Sequence, residues 1–320
     1  MSNEKSMNKI NDKQIKRVII TGATGSIGTA LINNLIKQGI EVLCFCRNDS
    51  PRNKNIPSDN LVTIKYCDIS ELCDVKNDTG KEYDVFYHFA WQGTTGESRN
   101  DMYLQNQNVK YALDAVEVAK RFGCKRFIGA GSQAEYGRLN NSLNSNSPTF
   151  PENGYGMAKL CAGEMTREYA HKLGVEHIWT RILSVYGPSD SSNTMIISLI
   201  NKLLNNETPK MTKCEQIWDY LYCEDAAQAF YLLEKCGIDG KTYVIGSGTG
   251  RKLSSYVEDI KEIVNPSAFI DYGAIPYSDK QVMHLVADIT ELEKDTGWHP
   301  AVSFKEGIAK MLNVNHSTHL

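Results

Sequence analysis

The order Val18-Ile-Ile-Thr-Gly-Ala-Thr-Gly-Ser-Ile-Gly28 constrains what this chain can fold into more than any other feature. A β-branched apolar run gives way to glycines at 22, 25 and 28, and an amphipathic pattern follows through Ile27, Leu31, Ile32, Leu35 and Ile36. That succession reads as a buried strand, a tight turn and a helix. Glycine lets backbone approach a ligand closely. A helix N-terminus offers unpaired N–H groups and the positive end of its dipole. Many strand-to-helix turns carry glycines for packing alone. Set in the first strand–helix unit, however, these three favour a cradle for the pyrophosphate of a dinucleotide.

The alternation continues downstream. Strand patterns fall at 17–21, 41–46, 61–66, 84–89, 126–131 and 175–182, with helical patterns at 25–38, 100–122 and 155–173 between them. Such alternation predicts an α/β fold built on a doubly wound parallel sheet. The stretches 48–60 and 138–153, rich in Asn, Ser and Pro, read as surface loops. After about residue 185 the alternation weakens. Helices are expected at 193–205 and 223–236, and a strand at 241–246 should rejoin the sheet. The expected division is a flexible tail at 1–14, a Rossmann domain over 15–185 plus about 217–247, and a smaller mixed α/β substrate lobe over 186–216 plus about 248–320.

Composition narrows the function classes. With 320 residues, 41% of them hydrophobic, the chain can bury a large core. Its net charge of −3, with both signs interspersed, lacks the basic footprint of a nucleic-acid binder. No apolar run approaches the roughly 18 residues of a membrane span, and residues 1–14 lack the apolar centre of a signal peptide. The 9 cysteines are odd in number and scattered. Neither Cys44 with Cys46 nor Cys67 with Cys73 makes a zinc-ligand set, so no metal is expected. Reduced thiols in a cytoplasmic protein are the expectation.

Chemistry first suggests itself at Tyr155-Gly-Met-Ala-Lys159, where Tyr and Lys share one helix face. A phenol titrating near 10 is a poor proton donor or acceptor at neutrality, and a neighbouring ammonium lowers that value. The spacing also arises by chance on exposed helices. Its neighbours add weight, because the 126–131 strand runs into Ser132-Gln-Ala-Glu-Tyr-Gly137. A serine just past the C-terminal end of a parallel strand sits where such sheets bind ligands.

Taken together, these motifs resemble the extended short-chain dehydrogenase/reductase family, in its NAD(P)-dependent epimerase/dehydratase branch. Besides Thr21 to Gly28, the resemblance rests on Asp68-Ile69, His88-Phe-Ala90, Asn108-Val109, Ser132 to Gly137, Tyr155 to Lys159 and Arg181 to Pro188. The segment Glu215 to Asp225 and Gly297-Trp-His-Pro300 look like the branch's substrate-lobe landmarks. The match spans about 16–310. It implies that Gly22, Thr24, Gly25, Ser26 and Ile27 surround the pyrophosphate, while Asp68 and Ile69 hold the adenine. Phe89, Ala90 and Trp91 would line the cofactor cleft, with Asn108 close by. Lys159 would hydrogen-bond the nicotinamide ribose and lower the pKa of Tyr155, the acid–base group, with Ser132 assisting at the substrate oxygen. The resemblance also implies a nucleotide-diphosphate-sugar substrate and a homodimer through helices 100–122 and 155–173.

Three departures narrow the reading. Sugar 4,6-dehydratases carry Asp and Glu directly after the catalytic Ser/Thr, whereas this chain has Gln133 and Ala134. Glu135 falls one position later and is expected to point elsewhere. At the end of the second strand, Cys46-Arg47 replaces the acid of NAD-selective members, and Arg47 can clamp a 2′-phosphate. Alternatively, Arg47 stacks on the adenine or faces solvent while NAD binds. Ser184 and Trp218 stand where the family often has Asn and Arg against the substrate nucleotide. Trp218 either stacks on a base or packs at the lobe junction. The expectation is therefore an NADPH-dependent reductase of a nucleotide-linked 4-keto-6-deoxy sugar, with hydride to C4 and the proton from Tyr155. The alternatives are an NAD-dependent nucleotide-sugar 4-epimerase and a non-catalytic NADP sensor.

Overall fold

The computed structural model describes residues 15–317, and the tail expected at 1–14 lies outside the described residues. The main sheet takes β1 (Arg17–Thr21), β2 (Glu41–Cys46), β3 (Val62–Tyr66), β4 (Val85–His88), β5 (Arg126–Ser132) and β6 (Glu176–Ile182). Between them run α1 (Ser26–Lys37), α2 (Met102–Arg121) and α3 (Gly154–Lys172). The chain continues through β7 (Ser184–Tyr186), α4 (Met195–Leu204), β8 (Lys210–Met211), β9 (Ile217–Trp218), β10 (Tyr220–Tyr222), α5 (Cys223–Cys236) and β11 (Thr242–Ile245). It ends with β12 (Arg251–Lys252), α6 (Leu253–Val264), β13 (Asp271–Tyr272), β14 (His284–Leu285), α7 (Thr290–Thr296) and α8 (Phe304–Ser317).

Seven strands lie in the order β3-β2-β1-β4-β5-β6-β11, all parallel. The chain starts in the middle, winds outward to β3, then returns past β1 to build the other half. That reversal between β1 and β4 is where open parallel sheets bind ligands, at the carboxyl ends of the strands. The expected strands and helices of this part form with slightly shifted ends, and the strand expected at 241–246 does pair with β6.

Period-two burial explains the layers. On one face Val18 and Ile20 pack beneath α1 and α5, against Leu31, Leu35, Phe230 and Leu233. On the other face Ile19, Phe86 and Phe127 pack beneath α2 and α3, against Val116, Phe122 and Ala170.

A second, smaller core joins Tyr186, Leu199, Tyr256, Ile260, Phe304 and Ile308 from α4, α6, α8 and the short strands. Here β7 pairs with β10, and β9 lies between β12 and β14. Asp219, with no exposure, ties this unit to the sheet. Its carboxylate accepts from the backbone N–H of Ser247 (2.7 Å), Gly248 (3.0 Å) and Ala287 (3.0 Å).

Two stretches expected as plain surface loops do more. Pro51–Asn55 forms a 3-10 turn capped by Ser50, and Asn55 Nδ2 donates to Thr24 O (3.2 Å). Within 138–153, Leu143 is buried and bridges to Ala287. The Gly297–Pro300 stretch also differs from its expected place in the substrate lobe. Trp298 is buried in the core beneath α1 and α5, its Nε1 donating to Asp225 O (3.0 Å).

Replacing Asp219 by Ala leaves three N–H groups, that of Ala287 buried and those of Ser247 and Gly248 part-buried, without this partner. It is expected to lower unfolding stability by about 3 kcal/mol or more. Denaturant titration checks this, and an unchanged midpoint would rule out the tie.

Candidate active site

At the carboxyl edge of the sheet, β1 and β4 are locked together. Thr21 Oγ1 shares a hydrogen bond with His88 Nδ1 (3.0 Å) and accepts from Ala90 N (3.3 Å). Burial, then the nearby Lys159 ammonium, pushes His88 down to about 3, so its ring is neutral. Gly22 has φ +73°, and a Cβ there would lie 2.7 Å from Ala90 N and from the Phe89 carbonyl carbon. Only glycine fits. Gly25 precedes α1 and provides no side-chain cap, which leaves the first N–H groups of the helix facing outward.

A cavity of about 730 Å³ opens in front of this turn. Gly22, Thr24 and Gly25 line one part, Phe89, Ala90 and Trp91 another, and Arg47, Asp68 and Ile69 the far end. Its size falls within the roughly 300–1,000 Å³ usual for cofactor sites. The glycine turn, pressed at Gly22 against the Phe89–Ala90 backbone and leaving the start of α1 without a side-chain cap, fits a dinucleotide pyrophosphate. At the far end the lining comes from Cys46, Arg47, Ser50, Arg52 and Asn53, and the lining carboxylate is Asp68. Asp68 caps its own turn, accepting from Ser70 N (2.9 Å) and Ser70 Oγ (2.7 Å).

Three expected cofactor residues turn their side chains away from the cavity. Ser26 Oγ donates to Asp190 Oδ1 (2.5 Å), so its side chain faces the second unit. The Ile27 side chain packs against the core. Asn108 is fully buried and holds the Gln92 backbone, accepting from its N–H (2.9 Å) and donating to its carbonyl (2.9 Å). It shapes the loop after β4 and does not line the cavity.

The Ser, Tyr and Lys expected to act together are brought together. Ser132 ends β5, its Oγ accepting from Ala134 N (3.1 Å). At the start of α3, Asn153 Oδ1 accepts from Gly156 N (2.8 Å). A Cβ at Gly156 would lie 2.3 Å from Ala134 O, so bare glycine lets α3 close on the turn that carries Ser132. Tyr155 consequently comes near enough to Ser132 for that hydroxyl to favour the phenolate. Lys159, one turn along and buried, donates to Ala130 O (2.5 Å) and sits 3.8 Å from the centre of the Trp91 ring.

Burial lowers Lys159 to about 7, against the pull of Glu135. Burial also raises Tyr155. The Ser132 hydrogen bond and the charge of Arg99 oppose that rise, while Glu135 adds to it. Arg99 thus faces the phenol ring at 4.2 Å, while Lys159 Nζ lies 5.8 Å from the ring centre. Arg99 sits in a short turn, Gly96–Asn100, with no periodic pattern to single it out. Arg52 was missed for the same reason. Its Nη2 donates to Thr24 O (3.2 Å) and Ser189 O (2.7 Å), strapping the glycine turn to the second unit.

Glu135 lies between β6 and α3 and does not line the cavity. It is fully buried and accepts from Ser132 N (2.8 Å), Trp179 Nε1 (3.1 Å) and Arg181 Nε (2.8 Å). The other departures meet each other, since Trp218 Nε1 donates to Ser184 Oγ (2.8 Å) at the lobe junction. All nine cysteines are free, and among the described residues no His/Cys/Asp/Glu cluster is placed to hold a metal. No described helix is long and apolar enough to cross a membrane.

The model of the NAD dependent epimerase/dehydratase family matches residues 18–246. CDP-abequose synthase of Salmonella muenchen is 27% identical over 310 residues, covering 93% of this chain and 98% of that protein. The dTDP-4-dehydro-6-deoxyglucose reductase of Escherichia coli is 26% identical over 316 residues, covering 94% and 98%. The crystal structure of UDP-glucose 4-epimerase from Thermotoga maritima with UDP-glucose superposes with a TM-score of 0.83 at 22% identity, covering 95% of this chain and 100% of that one.

Replacing Glu135 by Ala leaves Arg181 as an uncompensated buried charge. A loss of about 3–5 kcal/mol in unfolding stability is expected. Equal unfolding curves for the variant and the parent would show that the pair does not hold this region.

Proposed function

Since the chain belongs to the NAD-dependent epimerase/dehydratase family, we propose that it is an NADPH-dependent reductase of a nucleotide-linked 4-keto-6-deoxy sugar. Within that family it is an NAD(P)-dependent enzyme of nucleotide sugars. The observation that carries the finer reading is the adenosine end of the cavity. Arg47, Ser50, Arg52 and Asn53 line it, with no carboxylate from that segment. Two guanidinium groups suit a 2′-phosphate, whereas an acid there would repel it. The names of the two relatives, a synthase of CDP-abequose and a 4-dehydro-6-deoxyglucose reductase, agree with a net reduction.

In this reading Gly22, Thr24 and Gly25, with the backbone of Ser26 and Ile27, hold the pyrophosphate. Asp68 and Ile69 flank the adenine, Phe89, Ala90 and Trp91 line the nicotinamide half, and Lys159 meets the ribose. The nicotinamide supplies hydride chemistry at sugar C4. Tyr155 gives its phenolic proton to the C4 oxygen, which the Ser132 hydroxyl also holds. Gln133 and Ala134 cannot exchange the protons of a water elimination, so dehydration does not belong to this site.

A second reading, an NAD-dependent 4-epimerase, draws on the closed pyrophosphate end. Arg52 to Thr24 and Ser189, and Ser26 to Asp190, together suit a cofactor that is never released. The exposed Tyr103, Met157 and Met165 on α2 and α3 support a homodimer through those helices in either case.

The purified protein is expected to oxidise NADPH when given nucleotide-linked 4-keto-6-deoxy sugars. Near-stoichiometric bound NAD with no NADPH turnover would instead identify the epimerase. Tyr155→Phe should lower turnover by about 10²-fold or more while NADPH binding persists. Arg47→Asp should shift preference from NADPH towards NADH, and an unmoved ratio would remove the 2′-phosphate argument.

A further inference from the structure

The Gly96–Asn100 turn is held on two sides. Gln105 Nε2, from α2, donates to Ser98 O (2.9 Å), and Gly154 N, at the start of α3, donates to Asn100 Oδ1 (3.2 Å). Between these anchors Arg99 Nη1 donates to Thr94 O (2.9 Å), and its guanidinium carbon lies 4.2 Å from the centre of the Tyr155 ring. Arg99 pairs with no carboxylate among the described residues. It also lines a separate cavity of about 260 Å³, together with Gln133 and Lys280.

We propose that Arg99 is a positioning residue for Tyr155: its guanidinium packs on the phenol face, holds the ring towards Ser132 and supplies the positive charge that faces the hydroxyl. A guanidinium stacks on aromatic faces while keeping its charge at any working pH, which an ammonium does less well. Lys159 does not fill this place. Its Nζ is bonded to Ala130 O, seated against Trp91, and lies 5.8 Å from the Tyr155 ring centre.

The groups facing the phenol can be named element by element. Arg99 faces it from the turn before α2, Ser132 and buried Glu135 from the end of β5, Trp91 edge-on from the loop after β4, and Lys159 from its own helix. Of the charged groups that act on it, Arg99 favours the phenolate and Glu135 disfavours it. Removing Arg99 therefore moves Tyr155 away from neutrality. This inference rests on the acid–base role proposed for Tyr155, but its first test needs no substrate.

The test is a pH titration of phenolate absorbance for the parent protein, Arg99→Gln and Arg99→Lys, each corrected by the same background carrying Tyr155→Phe. The difference isolates Tyr155. Arg99→Gln should move the Tyr155 midpoint upward by about 1 pH unit. Arg99→Lys should return most of that shift. In the sugar-oxidising direction, where Tyr155 acts as base, the rising limb of kcat against pH should shift by the same amount, with the KM for cofactor unchanged. Unfolding curves confirm that the variants are folded.

An unmoved midpoint in Arg99→Gln, or Arg99→Lys behaving like Gln, overturns the proposal. So does a parent Tyr155 that fails to titrate before alkaline unfolding. If the titrations shift as expected but no nucleotide sugar is turned over, Arg99 keeps its role and the proposed reaction falls instead. If turnover is found while the titrations stay fixed, the reverse holds.

Discussion

Glu135 receives three hydrogen bonds without any contact with solvent, and the front of the site takes its shape from that arrangement behind it. One carboxylate oxygen accepts from the Ser132 backbone and the Trp179 indole, and the other from Arg181. The turn after β5 therefore closes with the serine hydroxyl outward and the acid inward. Gly156 then allows α3 to come against the carbonyl of Ala134, and Tyr155 arrives beside Ser132. A buried ion pair of this kind adds little net stability, because desolvation offsets most of its attraction. What it contributes is a single position for the turn.

The same burial makes the site electrically unusual. Lys159 has lost most of its hydration, and a carbonyl and an indole face do not replace it, so its affinity for a proton falls to about 7. Tyr155 is pushed the opposite way, since burial disfavours its charged form. Left alone, the two groups drift towards neutral amine and neutral phenol. Any group that meets them must restore charge to one or the other, and Arg99 is placed to do so for the phenol. Strained electrostatics of this sort gathers at functional sites, where stability gives way to chemistry.

How much of this could be read from residues alone follows from distance along the chain. The sheet, the glycine turn and the Ser-Tyr-Lys set rest on patterns contained within one or two adjoining elements, and those patterns survive folding. Arg99 and Arg52 lie in short 3-10 turns without periodicity. Their importance depends on partners that only the fold brings near, such as Tyr155 for one and Ser189 for the other. Ser184 and Trp218 show the same limit differently. Each looked like an isolated departure, and the hydrogen bond between them joins them at the lobe junction. Trp298 misled because its motif marks a position in the chain, whereas its indole serves the main core.

The pyrophosphate end joins cofactor choice to motion. Ser26 and Asp190, and Arg52 with Thr24 and Ser189, bind the glycine turn to the loop after β7. These contacts cross from the sheet unit to the smaller one, so a dinucleotide held at the glycine turn would meet them on leaving. An enzyme that releases oxidised cofactor after each reduction must break the strap on every cycle. One that regenerates its cofactor in place never needs to. Arg52 is exposed and reaches its acceptors through a flexible stem, which suits repeated opening. The Ser26–Asp190 bond is part-buried, and burial raises the proton affinity of that aspartate. The two halves of the closure thus differ in exposure: the Ser26–Asp190 bond is part-buried and the Arg52 contacts lie at the surface.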